Sequence, residues 1–109
     1  SVLDIAKMAH HVVDKKIYGN VGVAGEHLKV SEIASILSDV LSEPVEYKKV
    51  DASVYRTFGF PGCIDLGNMF EFKDVHNEEF CDTRNMNDVK SRITPIDFKT
   101  WCINNKRLL

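Results

Sequence analysis

Two short apolar runs, Val21-Gly22-Val23-Ala24-Gly25 and Val45-Glu46-Tyr47-Lys48-Lys49-Val50, sit between stretches whose apolar residues recur at helical spacing. This alternation narrows the choice of fold more than any other feature of the chain. The first run is too brief for a helix and follows the breaker Gly19-Asn20; the second carries β-branched and aromatic residues on a partly alternating pattern. Both predict strands. Strands that alternate with helices favour parallel pairing through crossovers, so the expected class is α/β, with the Ser1-Val2 stub as one partner for the second strand.

The helical stretches are clear. Ile5, Met8, Ala9, Val12 and Val13 fall at i, i+3, i+4, i+7 and i+8, which predicts a helix over about residues 5 to 15 with Asp4 as its cap. Ile33, Ala34, Ile36, Leu37, Val40 and Leu41 trace a second stripe that ends before Pro44. Its start lacks the usual Ser or Thr, because Lys29 stands three residues before Glu32. Asp51 is expected to cap a short helix through Tyr55 and Phe58.

From Gly59 to Phe72 the chain reads GFPGCIDLGNMFEF. Gly-Phe-Pro-Gly predicts a turn, and Ile64, Leu66, Met69, Phe70 and Phe72 load the following helix with apolar surface on too many sides for a solvent-facing element, so it fills a core or lines a cleft. Gly67 in its middle costs up to about 1 kcal/mol relative to Ala, which points to a close approach by another backbone or a ligand. Residues 73 to 93 are polar with sparse apolar anchors and read as an irregular surface connection. Thr94-Pro95-Ile96-Asp97 predicts a sharp helix start with Thr94 as cap, and Phe98, Trp101 and Cys102 follow at helical spacing.

Composition excludes several function classes. Fourteen Lys and Arg scattered among sixteen acids, a net charge of -2, leave no basic footprint for nucleic acid. No apolar run reaches the roughly 18 to 20 residues that cross a bilayer, and no targeting segment is legible, so a soluble, cytoplasmic protein is expected. Three widely spaced cysteines suit neither a disulfide framework nor a metal pair. Cys63 and Cys102 fall on apolar helix faces and read as buried hydrophobes, while Cys81 lies in a polar stretch that leaves it open to exposure. His10 and His11 are adjacent and point about 100° apart, so they cannot chelate one ion as an i, i+4 pair would. Glu78, Glu79 and Asp82 read as solvated surface. No Gly-x-Ser-x-Gly elbow occurs, and neither Tyr18, Tyr47 nor Tyr55 has the lysine four residues on that would depress a tyrosine pKa. No catalytic residue and no metal ligand is assigned.

The GFPGCIDLGNMFEF segment closely resembles the Gly-Phe-Pro-Gly…Leu-x-Asn-Met-Phe-x-Phe stretch of NmrA-like proteins. The likeness runs the length of the chain: an Asp-Ile-Ala helix opens it, Asn20 to Glu26 resembles a glycine-containing strand, and Glu32-Ile33-Ala34, Pro44-Val45-Glu46-Tyr47 and Thr94 to Trp101 follow in the family's order. Lys29 and the Asn85-Met86-Asn87-Asp88 turn depart from its pattern. The resemblance implies an atypical short-chain dehydrogenase-like Rossmann protein, several members of which bind NADP or NAD as redox sensors without turning over substrate. Residues 1–109 would be one C-terminal, mostly helical subdomain with short strands. The chain is read as lacking the family's glycine-rich loop and ribose-reading residues, which belong to an N-terminal part absent from it, so no cofactor is expected on this piece alone.

In the intact parent the GFPG turn and its helix would wall the cleft beside the nicotinamide end of the cofactor. Phe60, Pro61, Asn68, Met69 and Phe72 are the candidate cleft residues, Asn68 being the polar group able to orient a ligand; packing is the competing role for all five, since aromatic and Met stripes ordinarily fill cores. A regulatory redox sensor with a protein partner is the expected function. A reductase of the isoflavone-reductase-like kind and a stand-alone interaction module are the alternatives. Val21 to Ala24, deprived of a parent sheet, is expected to pair with another chain or pack irregularly, and an exposed interdomain face could bring two copies together.

Overall fold

The computed structural model describes all of residues 1–109 and is entirely helical. Its elements are α1 (Val2–Asp14), α2 (Val30–Leu41), α3 (Ala52–Tyr55), α4 (Cys63–Val75), α5 (Asn77–Asp82), α6 (Met86–Arg92), α7 (Phe98–Asn104) and a closing 3-10 turn, Lys106–Leu108. There is no strand. The α/β, Rossmann-type reading with short strands is therefore corrected, and the reason lies in pairing. A strand exists only where a neighbour takes up its backbone donors and acceptors. The expected partner is spent otherwise: Ser1 is the N-cap of α1, its Oγ accepting from Asp4 N at 3.4 Å, and Val2 is the first helical residue.

A local substitute for a ladder is visible in the second run. The Ser38 hydroxyl accepts from Val45 N at 2.9 Å and lies 3.2 Å from the Val45 carbonyl, so a side chain on α2 satisfies the first residue of the second run. Residues 21 to 25 are half-buried without regular structure. A Cβ added to Gly25 would stand 3.0 Å from the Ile96 carbonyl oxygen, a contact tight enough that the neighbour would have to give.

The chain divides into two compact units. The first, residues 1–47 with 84–109, holds α1, α2, α6 and α7 and buries Met8, Ala34, Val40, Val89 and Cys102. α2 packs on α7, and Lys99 pairs with Asp39 across them at 3.6 Å. The start of α2 keeps half of a capping box: Glu32 Oε2 accepts from Lys29 N at 2.6 Å, while the lysine side chain offers no acceptor in return. Ser42 closes the helix in the left-handed region, φ 59°, before Pro44.

Asp4 is not the cap of α1 but a wholly buried residue in its first turn. Its Oδ2 accepts from Ile96 N at 3.2 Å, and its Oδ1 has no hydrogen-bond partner, with Lys7 Nζ 3.6 Å away. α7 likewise begins later than Thr94 implies. Asp97 is the cap, accepting from Thr100 N at 2.7 Å and the Thr100 hydroxyl at 2.8 Å. These two donors hold its carboxyl below the ordinary value of 3.8.

The irregular connection read into residues 73 to 93 is replaced by the end of α4 and by α5 and α6. Asn85 starts α6 by accepting from Asn87 N at 2.9 Å and Asp88 N at 3.3 Å, and Arg92 answers Asp88 one turn on at 2.9 Å.

The second unit, residues 48–83, carries α3, α4 and α5. Its only buried hydrophobic side chain is that of Cys63, whose thiol donates to the Arg56 carbonyl at 3.3 Å. Cohesion comes instead from rings. Tyr55 lies edge-on to Phe70 with centroids 5.2 Å apart, edge-on to Phe60 at 5.7 Å, and tilted against Phe58 at 5.2 Å.

Candidate functional site

The turn before α4 explains both of its glycines. Cys63 N donates to the Phe60 carbonyl at 3.2 Å across Pro61 and Gly62, and Gly62 has φ 87°, ψ 0°, so this is a type II turn with Pro at its second position and glycine at the left-handed third. Gly59, at φ 74°, completes the reversal. The chain then enters α4 with Cys63, Gly67 and Phe70 turned toward α3.

Gly67 is required by an arginine. A Cβ placed there would meet Arg56 Cγ at 2.6 Å and the Ala52 carbonyl oxygen at 3.3 Å. Arg56 thus lies across the α4 backbone at the one residue without a side chain. Beyond it the guanidinium donates from Nε to Asn68 Oδ1 at 2.9 Å and pairs through an Nη with the Glu71 carboxylate. The close approach implied by a mid-helix glycine is real, and its author is a side chain of the same unit.

At 100° per residue, Ile64, Asn68, Phe72 and Val75 form one row along α4 and Met69 stands beside it, on the side opposite Cys63 and Phe70. All are exposed, Met69 by 37% and Phe72 by 47%. Of the five residues singled out in the sequence, Asn68, Met69 and Phe72 therefore share this outer face. Phe60 does not join them: its ring belongs to the Tyr55 cluster. Pro61 sits exposed in the turn. The Phe72 ring stacks on His76 with centroids 4.9 Å apart and planes 26° from parallel. The sequence reading missed Arg56 altogether, although Gly67 was the signal that something had to lie there.

The first unit holds a hollow of about 490 Å³ between Gly25, Glu26, His27, Lys90, Thr94 and Asp97, among others. Its carboxylates are engaged by backbone: Glu26 Oε2 accepts from Phe98 N at 3.1 Å, and Asp97 caps α7. Nowhere do three His, Cys, Asp or Glu side chains converge as metal ligands.

Gly19, Gly22 and Gly25 do stand at the Gly-x-x-Gly-x-x-Gly spacing of a dinucleotide loop. Such a loop binds pyrophosphate because it follows a strand and opens a helix whose free N–H groups face the anion. Here no strand precedes it, and α2 begins only at Val30 with the Glu32 carboxylate already on its entry N–H. These residues do not fit NAD(P), and no step of a mechanism runs through that group in this chain.

No family model matches the chain, and no solved structure matches it.

Proposed function

We propose that this chain is the ligand-cleft and interaction portion of an NmrA-like NAD(P)-binding regulatory protein, lining the cleft without turning over substrate. One observation carries the reading. The segment with the strongest resemblance, GFPGCIDLGNMFEF, folds into a turn and helix whose outer face leaves Ile64, Met69, Phe72 and Val75 uncovered beside the Asn68 amide and the exposed Asp65. Apolar surface with few placed polar groups is the composition of a small-molecule wall. The dinucleotide would be held by residues outside this chain, where its oxidation state is what a partner protein reads. The part played here is to cover the ligand and orient it.

The test is made on the intact gene product. An in-frame glycine-rich loop upstream, tight NADPH binding, and negligible NADPH oxidation against quinones and aldehydes support a sensor. Steady turnover would make the parent a reductase, and absence of both the loop and dinucleotide binding would end the proposal.

A further inference from the structure

We propose that Lys7 is a modification site, and that acetylation of its Nζ by an acetyltransferase releases residues 94–96 from α1. The inference concerns the first unit and is independent of the cleft reading above. Asp4 projects from the first turn of α1 and is 1% exposed. One of its oxygens, Oδ2, accepts from Ile96 N at 3.2 Å, while the other, Oδ1, is buried with no hydrogen bond. An ionised carboxylate so placed needs a cation close by, because an uncompensated buried charge is strongly unfavourable. Lys7 supplies it from one turn along α1, with Nζ 3.6 Å from Oδ1. The Ser1 ammonium stands 3.8 Å from Oδ2, the oxygen that Ile96 already satisfies.

The same ammonium donates to the Thr94 carbonyl at 3.4 Å, so Asp4 and Lys7 together tie residues 94 and 96 to one turn of α1. The tie also holds a wall of the hollow, which Thr94, Pro95 and Asp97 line. Of its two side chains only Lys7 is open to an enzyme, being 41% exposed against 1% for Asp4. In the reaction the enzyme removes a proton from Nζ, and the amine attacks the carbonyl of an acetyl thioester. A C–N bond forms, the C–S bond breaks, the thiolate leaves, and the nitrogen gives up a second proton to become an amide. That amide is uncharged. Its N–H still suits the Thr94 carbonyl, but nothing in it offsets the charge on Asp4. The buried carboxylate then takes up a proton or draws water toward Oδ1, and either change weakens its charge-assisted hold on Ile96 N–H. Lys7 thus acts through Asp4, as the one part of the tie whose charge can be switched from outside.

The experiment compares the chain acetylated at Lys7 Nζ with the unmodified chain by NMR hydrogen exchange. Exchange at the Ile96 amide is expected to rise about tenfold on acetylation while interior amides of α2 keep their rates. Lys7→Gln, which keeps a donor for Thr94 and loses the charge, should reproduce the rise, and Lys7→Arg, which keeps the charge, should not. In an Asp4→Asn background no buried charge remains and the amide oxygen still accepts from Ile96, so Lys7→Gln should change exchange by less than about twofold. Mass spectrometry of the digested protein from its native cells should find acetyl on part of the Lys7 population, and its absence there would remove the site. Unchanged exchange at Ile96 on acetylation would overturn the release. An equal rise in the Asp4→Asn background would do the same, by leaving Lys7 to act through Thr94 alone. So would a rise shared by the α2 amides, which is loss of folding and not release.

Discussion

Replacing Gly67 by Ala places two effects of similar size in opposition, and the structure says which one wins. The substitution raises helix propensity in the middle of α4 by up to about 1 kcal/mol. Against that, the new Cβ would lie 2.6 Å from Arg56 Cγ, a distance that forces Arg56 off the helix. Its departure removes the hydrogen bond to Asn68, worth about 1 kcal/mol, and the partly exposed pair with Glu71, worth about 0.5 kcal/mol. The Ala52 carbonyl at 3.3 Å is backbone and can only be eased aside, for about 0.5 kcal/mol of angle strain. Losses exceed the gain, and Gly67→Ala should destabilise the second unit by about 1 kcal/mol. In an Arg56→Ala background the side-chain losses have already been taken, so the same substitution should stabilise by about 0.5 kcal/mol. Native-state hydrogen exchange at amides within α4 reads this unit directly in all four members of the cycle. A stabilisation of similar size in both backgrounds would show that Arg56 does not lie across Gly67.

Three further outcomes are expected. Asp4→Ala strands the Ile96 N–H and should cost about 2 kcal/mol in urea unfolding, with Asn recovering roughly half because its amide oxygen still accepts; an Ala variant within about 0.5 kcal/mol of the parent would contradict the role given to this carboxylate. Asp97 is held ionised by Thr100, so the stability it lends α7 is present above the ordinary carboxylate value of 3.8 and disappears as pH falls through its lower folded value. The Thr100 amide shift should titrate with a midpoint below 3.8, and a midpoint at or above it would reverse the assignment. Burial pushes the Cys102 thiol up and removes all of its exposure, so iodoacetamide should modify half-buried Cys81 more than tenfold faster in the native chain and at equal rates in urea, as mass spectrometry of the digested chain would show.

What was legible in the sequence was whatever a local period encodes. Met8 and Val40 fall on the stripes that placed α1 and α2, Cys63 and Cys102 are buried where their helix faces predicted, and the GFPG reversal takes the turn type its Pro and Gly demand. Helix starts were less legible, since several residues compete to cap. Asp4 looked like a cap, yet it is drawn inside to hold Ile96, and Ser1 takes the end; Thr94 and Pro95 looked like a start, yet Asp97 has the two donors of Thr100 within reach. In residues 73 to 93 polarity was mistaken for irregularity, although a short helix such as α6, capped by Asn85 and braced by Asp88 and Arg92, needs few apolar anchors.

The strand assignments failed for a different reason, which also bears on the site. Composition marks a run as able to form a strand, but a strand is a relation between two segments, and β-branched residues cannot supply the second. Where the neighbour is a hydroxyl, as at Ser38 and Val45, the same residues settle without a ladder. The orientation of Asn68 is relational in the same sense. Its position on the outer face of α4 follows from the helix period alone, but which end of its amide faces outward is decided by Arg56, twelve residues away in the chain, and Arg56 reaches it only because Gly67 leaves the helix backbone bare. A site built this way shows in the sequence as a costly glycine and an unremarkable arginine, and acquires chemical meaning only when the two are found stacked.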